Sequence, residues 1–128
     1  LPVFKFGCLT IPEFDNEKDM AFYLSFIAVL EKNYHDEAFN REQASSQLLI
    51  SPRSLNRRMS ELFEYNFSEF LSRFRIEKSI PLLLEGNSIL DTCLDVGFGT
   101  AAYFSTSFKK VMHLPPKKYI EQYSKTVA

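Results

Sequence analysis

Arg53 and Arg57 stand four positions apart, with Asn56 between them and Ser51-Pro52 ahead. A guanidinium is a planar fork of donors that fits two acceptors side by side, such as guanine O6 and N7. An asparagine amide fits the donor and acceptor of adenine N6 and N7. Such chemistry requires all three side chains on one open face. At about 100° per residue from Leu55, Met59, Leu62 and Phe63 fall within about 80° of a core side, while Arg53, Arg57 and Ser60 fall near 160°, 200° and 140°. Asn56 flanks them near about 100°, and Arg58, near about 300°, is placed for a phosphate contact or an ion pair. The same construction from Phe104 turns Phe108, Val111 and Met112 inward. It turns Ala102, Thr106 and Lys109 outward and leaves Tyr103 and Lys110 at the margin. Lys109, Lys110, Lys117 and Lys118 suit phosphates, which position a protein on a duplex without specifying sequence. The plainer reading of both faces is a solvated surface carrying ordinary cations.

The elements that would present these side chains follow from capping residues and apolar periodicity. Residues 1–18 read as extended or irregular, punctuated by Pro2, Gly7 and Pro12, and are expected to be a linker packing on the first helix or the end of an upstream domain. From Asp19 to about His35, Phe22, Phe26, Val29 and Leu30 recur at helical spacing. Asn40 caps a helix to Leu48 or Leu49, and Ser51 with Pro52 opens the next, which extends to Phe63. Ser68 is expected to cap a longer helix to about Glu85, stopped by Gly86-Asn87. Pro81 removes that helix's bond to the Glu77 carbonyl, which predicts a kink. Ser88 opens a short helix, and another follows Gly97-Phe98-Gly99-Thr100 to about Met112. Pro115-Pro116 starts the last helix, to about Tyr123. The expected fold is all-α, with about seven helices forming two helix-turn-helix subdomains, about 40–63 and 88–112, joined by a linker helix over about 68–85. The main domain is expected over 19–123, with 124–128 as a tail.

A helix-turn-helix corner is a weak signal by itself, but the residues in and between the two corners are more particular. Ser51-Pro52, Arg75-Ile76, Leu82-Leu83-Leu84, Gly97-Phe98, Tyr103-Phe104-Ser105 with Phe108-Lys109-Lys110, and Pro116-Lys117-Lys118-Tyr119 occur in that order. In these features the stretch from Met20 to Gln122 resembles the DNA-binding domain of AraC/XylS-type regulators. The resemblance implies sequence-specific binding to double-stranded DNA for bacterial transcription regulation, with two recognition helices in adjacent major-groove segments. It implies Ala102, Tyr103 and Thr106 as the base-facing set of the second helix, beside Arg53, Asn56 and Arg57 on the first. Arg58, Lys109, Lys110, Lys117 and Lys118 would meet phosphates. RNA polymerase and an upstream sensory or receiver domain are the further partners it implies. The chain also departs from the family. Leu49 and His113 stand where glycine is common, Thr106 and Ile120 where arginine is common, and Pro81 inside the linker helix is unusual. The first unit keeps its arginines, so the resemblance implies stronger base reading there than in the second.

The totals restrict the alternatives. The net charge of −1 conceals four Lys/Arg against eight Asp/Glu in residues 1–50, and eleven against eight in residues 51–128. Positive charge therefore gathers around the expected recognition elements. Cys8 and Cys93 make no metal motif, His35 and His113 are isolated, and nothing resembles a nucleophile with its base or a phosphate-cradling glycine loop. No cofactor, no catalytic or metal residue and no small-molecule site are expected, and an enzyme has no supporting residues. The absence of a long apolar run and the cysteine usage suit a cytoplasmic location, and the start at Leu1 without Met suggests a fragment of something longer. The competing function is a helix-turn-helix fold that docks protein, as the acidic first portion would permit.

Overall fold

The computed structural model describes residues 3–127, and side chains over residues 3–124. Leu1, Pro2 and Ala128 of the expected end segments lie outside them. The order is α1 (Glu17–Asn33), α2 (Arg41–Gln47), α3 (Pro52–Leu62), α4 (Phe67–Leu84), α5 (Ile89–Asp95), α6 (Ala101–Met112) and α7 (Pro116–Val127), with no strand among the described residues. Six of these helices start on a side chain that accepts from the backbone N–H three residues on: Asn16, Asn40, Ser51, Asn66, Ser88 and Thr100. Each such cap satisfies one of the four donors a helix start leaves over, a gain of about 1 kcal/mol over alanine. At Asn40 the bond is reciprocal, because the Gln43 side chain returns to the Asn40 N–H at 3.3 Å.

Three helices differ from expectation at their boundaries: α1 starts on Asn16 and runs Glu17–Asn33, two residues ahead of the expected span. Asn66, not Ser68, caps α4, with its Oδ1 2.9 Å from the Glu69 N–H. That register brings Phe67 into the helix as a buried residue. The last helix passes Tyr123 and runs to Val127, through most of the expected tail. At Pro81, which is exposed, α4 continues helically to Leu84, and the Glu85 N–H bonds to the Pro81 carbonyl at 3.0 Å. The helix then closes as predicted at Gly86-Asn87: Gly86 N–H reaches Leu83 O and Asn87 N–H reaches Leu82 O, with Gly86 at φ +99°.

Two separate cores share α4. Tyr23, Phe26 and Leu30 of α1, Leu55 and Met59 of α3, and Phe67, Phe70, Leu71 and Phe74 of α4 fill the first. Ile76, Ile80 and Leu83 of the same helix fill the second with Cys93, Val96, Phe98, Phe104, Phe108 and Tyr119. At about 100° per residue Phe67, Phe70, Leu71 and Phe74 lie on one side of α4 and Ile76, Ile80 and Leu83 on nearly the opposite side, so two faces serve the two units and ten of its residues are buried.

Residues 3–14 form an irregular strap laid along α4 and against α1, where Phe4, Leu9, Ile11 and Phe14 border one hollow with Met20 and Tyr23, as expected of a segment packing on the first helix. Phe4 meets Phe74 edge-on at 6.1 Å, and the Phe6 N–H donates to both Glu77 oxygens at 3.0 and 3.2 Å. Arg73 Nη1 donates to the Cys8 carbonyl at 3.0 Å, the Thr10 N–H donates to Tyr65 Oη at 3.1 Å, and Phe14 rests on Tyr23 at 5.2 Å. Cys8 belongs to the second core and Leu9 to the first, so the strap spans both.

Candidate nucleic-acid interface

Helix α3 owes its two faces to the spacing of Leu55 and Met59, both buried, against Arg53, Asn56, Arg57 and Ser60, all exposed. Ser51 fixes its start: Oγ accepts from the Ser54 N–H at 3.1 Å, and Pro52 follows at the first helical position. The turn before it tightens through Leu49, whose φ is +60° and whose side chain is 91% exposed. Arg53, Asn56 and Arg57 therefore share one open side of α3. Arg57 holds only an open ion pair to Glu61 at 3.4 Å, one turn on. A solvated pair of that kind contributes at most about 1 kcal/mol and gives way readily to a stronger acceptor.

Arg58 is placed differently. Its Nη2 lies 2.8 Å from Asp19 Oδ1, its guanidinium carbon sits 4.9 Å from the Phe22 ring centre, and the side chain is 14% exposed. The Arg58 and Asn16 side chains hold the Asp19 carboxyl below the usual carboxylate range. Of the two roles expected for Arg58, the structure shows the ion pair, and α3 is thereby tied to α1.

Helix α6 repeats the arrangement. Phe104 and Phe108 are buried, while Ala102, Tyr103 and Thr106 are exposed with Lys109 and Lys110. Tyr103 is 55% exposed, with its ring 5.2 Å from Phe98 at 73°. Thr106, Lys109, Lys110 and His113 line a shallow hollow, and His113 ends the helix at φ +66°. Lys117 and Lys118 are exposed in the first turn of α7, next to the buried Tyr119. The predicted residues thus form an α3 set and an α6–α7 set, with Arg58 outside both.

Arg41, missed by the sequence reasoning, lines a cleft with Asn56, Ser60, Asn66 and Ser68, beside the open face of α3. Its Nη2 pairs with Glu42 at 2.8 Å, while its Nε is buried without a partner. The available signal was its position: a cation in the first turn of a helix opposes the helix dipole and is misplaced for stability alone. Among the described residues no group of His, Cys, Asp and Glu is arranged to hold a metal, and no helix is long and apolar enough to cross a membrane. Both thiols are buried. Burial, aided by the Glu77 carboxylate, pushes the Cys8 thiol far above its ordinary range, and burial raises Cys93 as well.

Comparison with known proteins gives a consistent picture. A family model described as a helix-turn-helix domain matches residues 44–122. An uncharacterised HTH-type transcriptional regulator of Staphylococcus aureus is 30% identical over 91 residues, which are 70% of this chain and 12% of that protein. A protein of Streptomyces lividans described as an AraC-like transcription regulator is 40% identical over 52 residues, 40% of this chain and 17% of that protein. The crystal structure of the C-terminal domain of the two-component response regulator yesN from Fusobacterium nucleatum superposes with a TM-score of 0.71 at 30% identity, covering 79% of this chain and 98% of that one. The chain therefore spans about an eighth of the length of the Staphylococcus relative.

Proposed function

Because this chain belongs to the AraC-type helix-turn-helix family of transcription regulators, we propose that it binds double-stranded DNA sequence-specifically, with α3 and α6 entering adjacent major-groove segments. The observation that carries this reading is the open side of α3, where Arg53, Asn56 and Arg57 face outward opposite buried Leu55 and Met59. In the proposal Arg53 and Arg57 fork onto guanine, and Asn56 pairs with adenine. Ala102 and the Thr106 methyl meet thymine methyls, and Tyr103 lies beside them. Lys109, Lys110, Lys117 and Lys118 neutralise phosphates, joined by Arg41 from the cleft beside α3. Arg58 contributes through its hold on Asp19, keeping α3 at a fixed angle to α1. In the proposal a sensory or receiver region supplies the signal and RNA polymerase receives it, in the cytoplasm.

Selection from a random duplex pool tests the reading, followed by titration of the winning site with salt. The expected outcome is a defined consensus and an affinity that falls linearly in log–log form as counterions are released. A bound pool without consensus, or a duplex affinity indifferent to salt, overturns it and favours protein docking.

A further inference from the structure

A helix shared by two independent cores does not by itself hold them at one angle, because each unit can rock about its own contacts with α4. A joint midway along α4 removes that freedom. Arg75 lies between Phe74, which faces the first core, and Ile76, which faces the second, and it is 7% exposed. Its Nε donates to the Tyr34 carbonyl and its Nη2 to the Asp36 carbonyl, each at 2.8 Å. Both carbonyls belong to the loop leaving α1 in the first unit. The second unit closes on the same spot. Gly97, at φ +93° in the turn between α5 and α6, comes so near that an added Cβ would lie 2.3 Å from Tyr34 O and 2.9 Å from Arg75 Nε. Two residues on, a Cβ on Gly99 would lie 2.8 Å from Glu37 Oε1. The turn is followed at once by Thr100, the cap of α6. Whatever fixes Gly97 and Gly99 therefore fixes the start of α6.

We infer that Arg75 is the positioning residue that sets α6 relative to α3, and hence the spacing between base-pair groups that this chain tolerates. The inference rests on the two-helix reading of DNA proposed above. The fork geometry is what matters: a guanidinium can hold two carbonyls at once, whereas an ammonium is a single point on a flexible stem. Burial lowers the guanidinium's pKa, opposed by Tyr103, Asp36 and Glu37, and an arginine stays charged throughout the working range.

The test uses spin labels on Ser25→Cys in α1 and Glu121→Cys in α7, both exposed, in a background from which the two native thiols are removed as Cys8→Ala and Cys93→Ala. Otherwise wild-type protein should give a narrow distance distribution, Arg75→Ala one at least twice as wide, and Arg75→Lys an intermediate one, at equal helical content by circular dichroism. On duplexes carrying the selected site with one or two base pairs inserted between its halves, wild type should lose at least tenfold in affinity and Arg75→Ala less than threefold. If Arg75→Ala does not fold, Arg75→Lys and Arg75→Gln carry the same two measurements. An unchanged distribution with an unchanged spacing penalty overturns the inference. Wild-type protein that binds no duplex overturns the DNA reading instead, while the label distances still judge the joint.

Discussion

At Leu49 and His113 the backbone sits at φ 60° and 66°, where a Cβ crowds the following carbonyl. The conformation costs roughly 1–2 kcal/mol for such residues, while glycine would give back roughly 0.5–1 kcal/mol in chain entropy. Leu49→Gly and His113→Gly should therefore each stabilise by up to about 1 kcal/mol, raising Tm by roughly 3–5 °C in a chain of this size. Thermal melts followed by circular dichroism check this, and a lower Tm in both variants would contradict the strain argument. Arg53→Ala or Arg57→Ala should each lose about 1–3 kcal/mol on the preferred duplex and relax base choice at one position. Lys109→Ala or Lys117→Ala should weaken all duplexes alike. Competition against a panel of single-base variants separates the two patterns, and uniform losses throughout would refute the division between base and phosphate contacts.

Among the elements, α4 carries the one local conflict. Pro81 leaves the Glu77 carbonyl without its usual helical donor, at a cost of up to about 3 kcal/mol in a helix interior and less near the end, where it sits. Because Pro81 is exposed, Pro81→Ala fits without a clash and should raise the urea midpoint. If the proline also sets the angle between the units, the bend in bound DNA should change, as read by circular permutation gels. Identical bends would show that it does not. The caps at Asn40, Ser51 and Ser88 were legible because their partners lie three residues away in the same strand of text. Asn66 and Ser68 both make good caps, and local chemistry cannot choose between them. The burial of Phe67 against Phe26 and Phe39 decides it. Glycine punctuation at 86–87 and the doubled helix-turn-helix were equally plain. The strap's course along α4 was not. Its partners, Tyr65, Arg73, Phe74 and Glu77, are more than fifty residues distant, and no periodicity encodes that pairing. Arg75 was visible only as part of a family signature, since the groups it grips are main-chain carbonyls with no sequence identity of their own.

For the molecule as a whole, the two units are alike in scaffold and unlike in equipment. α3 offers two arginines and an asparagine on its open side, whereas α6 offers an alanine, a tyrosine and a threonine. A protection footprint should show strong base preference over one half of the site and weak preference over the other, and equal information in both halves would contradict the proposal. Thr106→Arg, placing a fork where Thr106 is exposed, should raise affinity in general whether or not it sharpens choice.

The strap gives the molecule a built-in clock. It is fastened by a few hydrogen bonds, ring contacts and the burial of Cys8 and Leu9, and it carries one thiol, Cys8, into the second core, while the other thiol, Cys93, sits within a helix of that core. Peeling the strap exposes Cys8 without dismantling a helix, so its opening free energy belongs at the low end of the molecule's range and that of Cys93 near the global value. Under a thiol reagent at neutral pH, Cys8 should label many times faster than Cys93, at a rate that denaturant barely alters. Labelling of the two in step would mean that the strap and the helices come apart as one cooperative body.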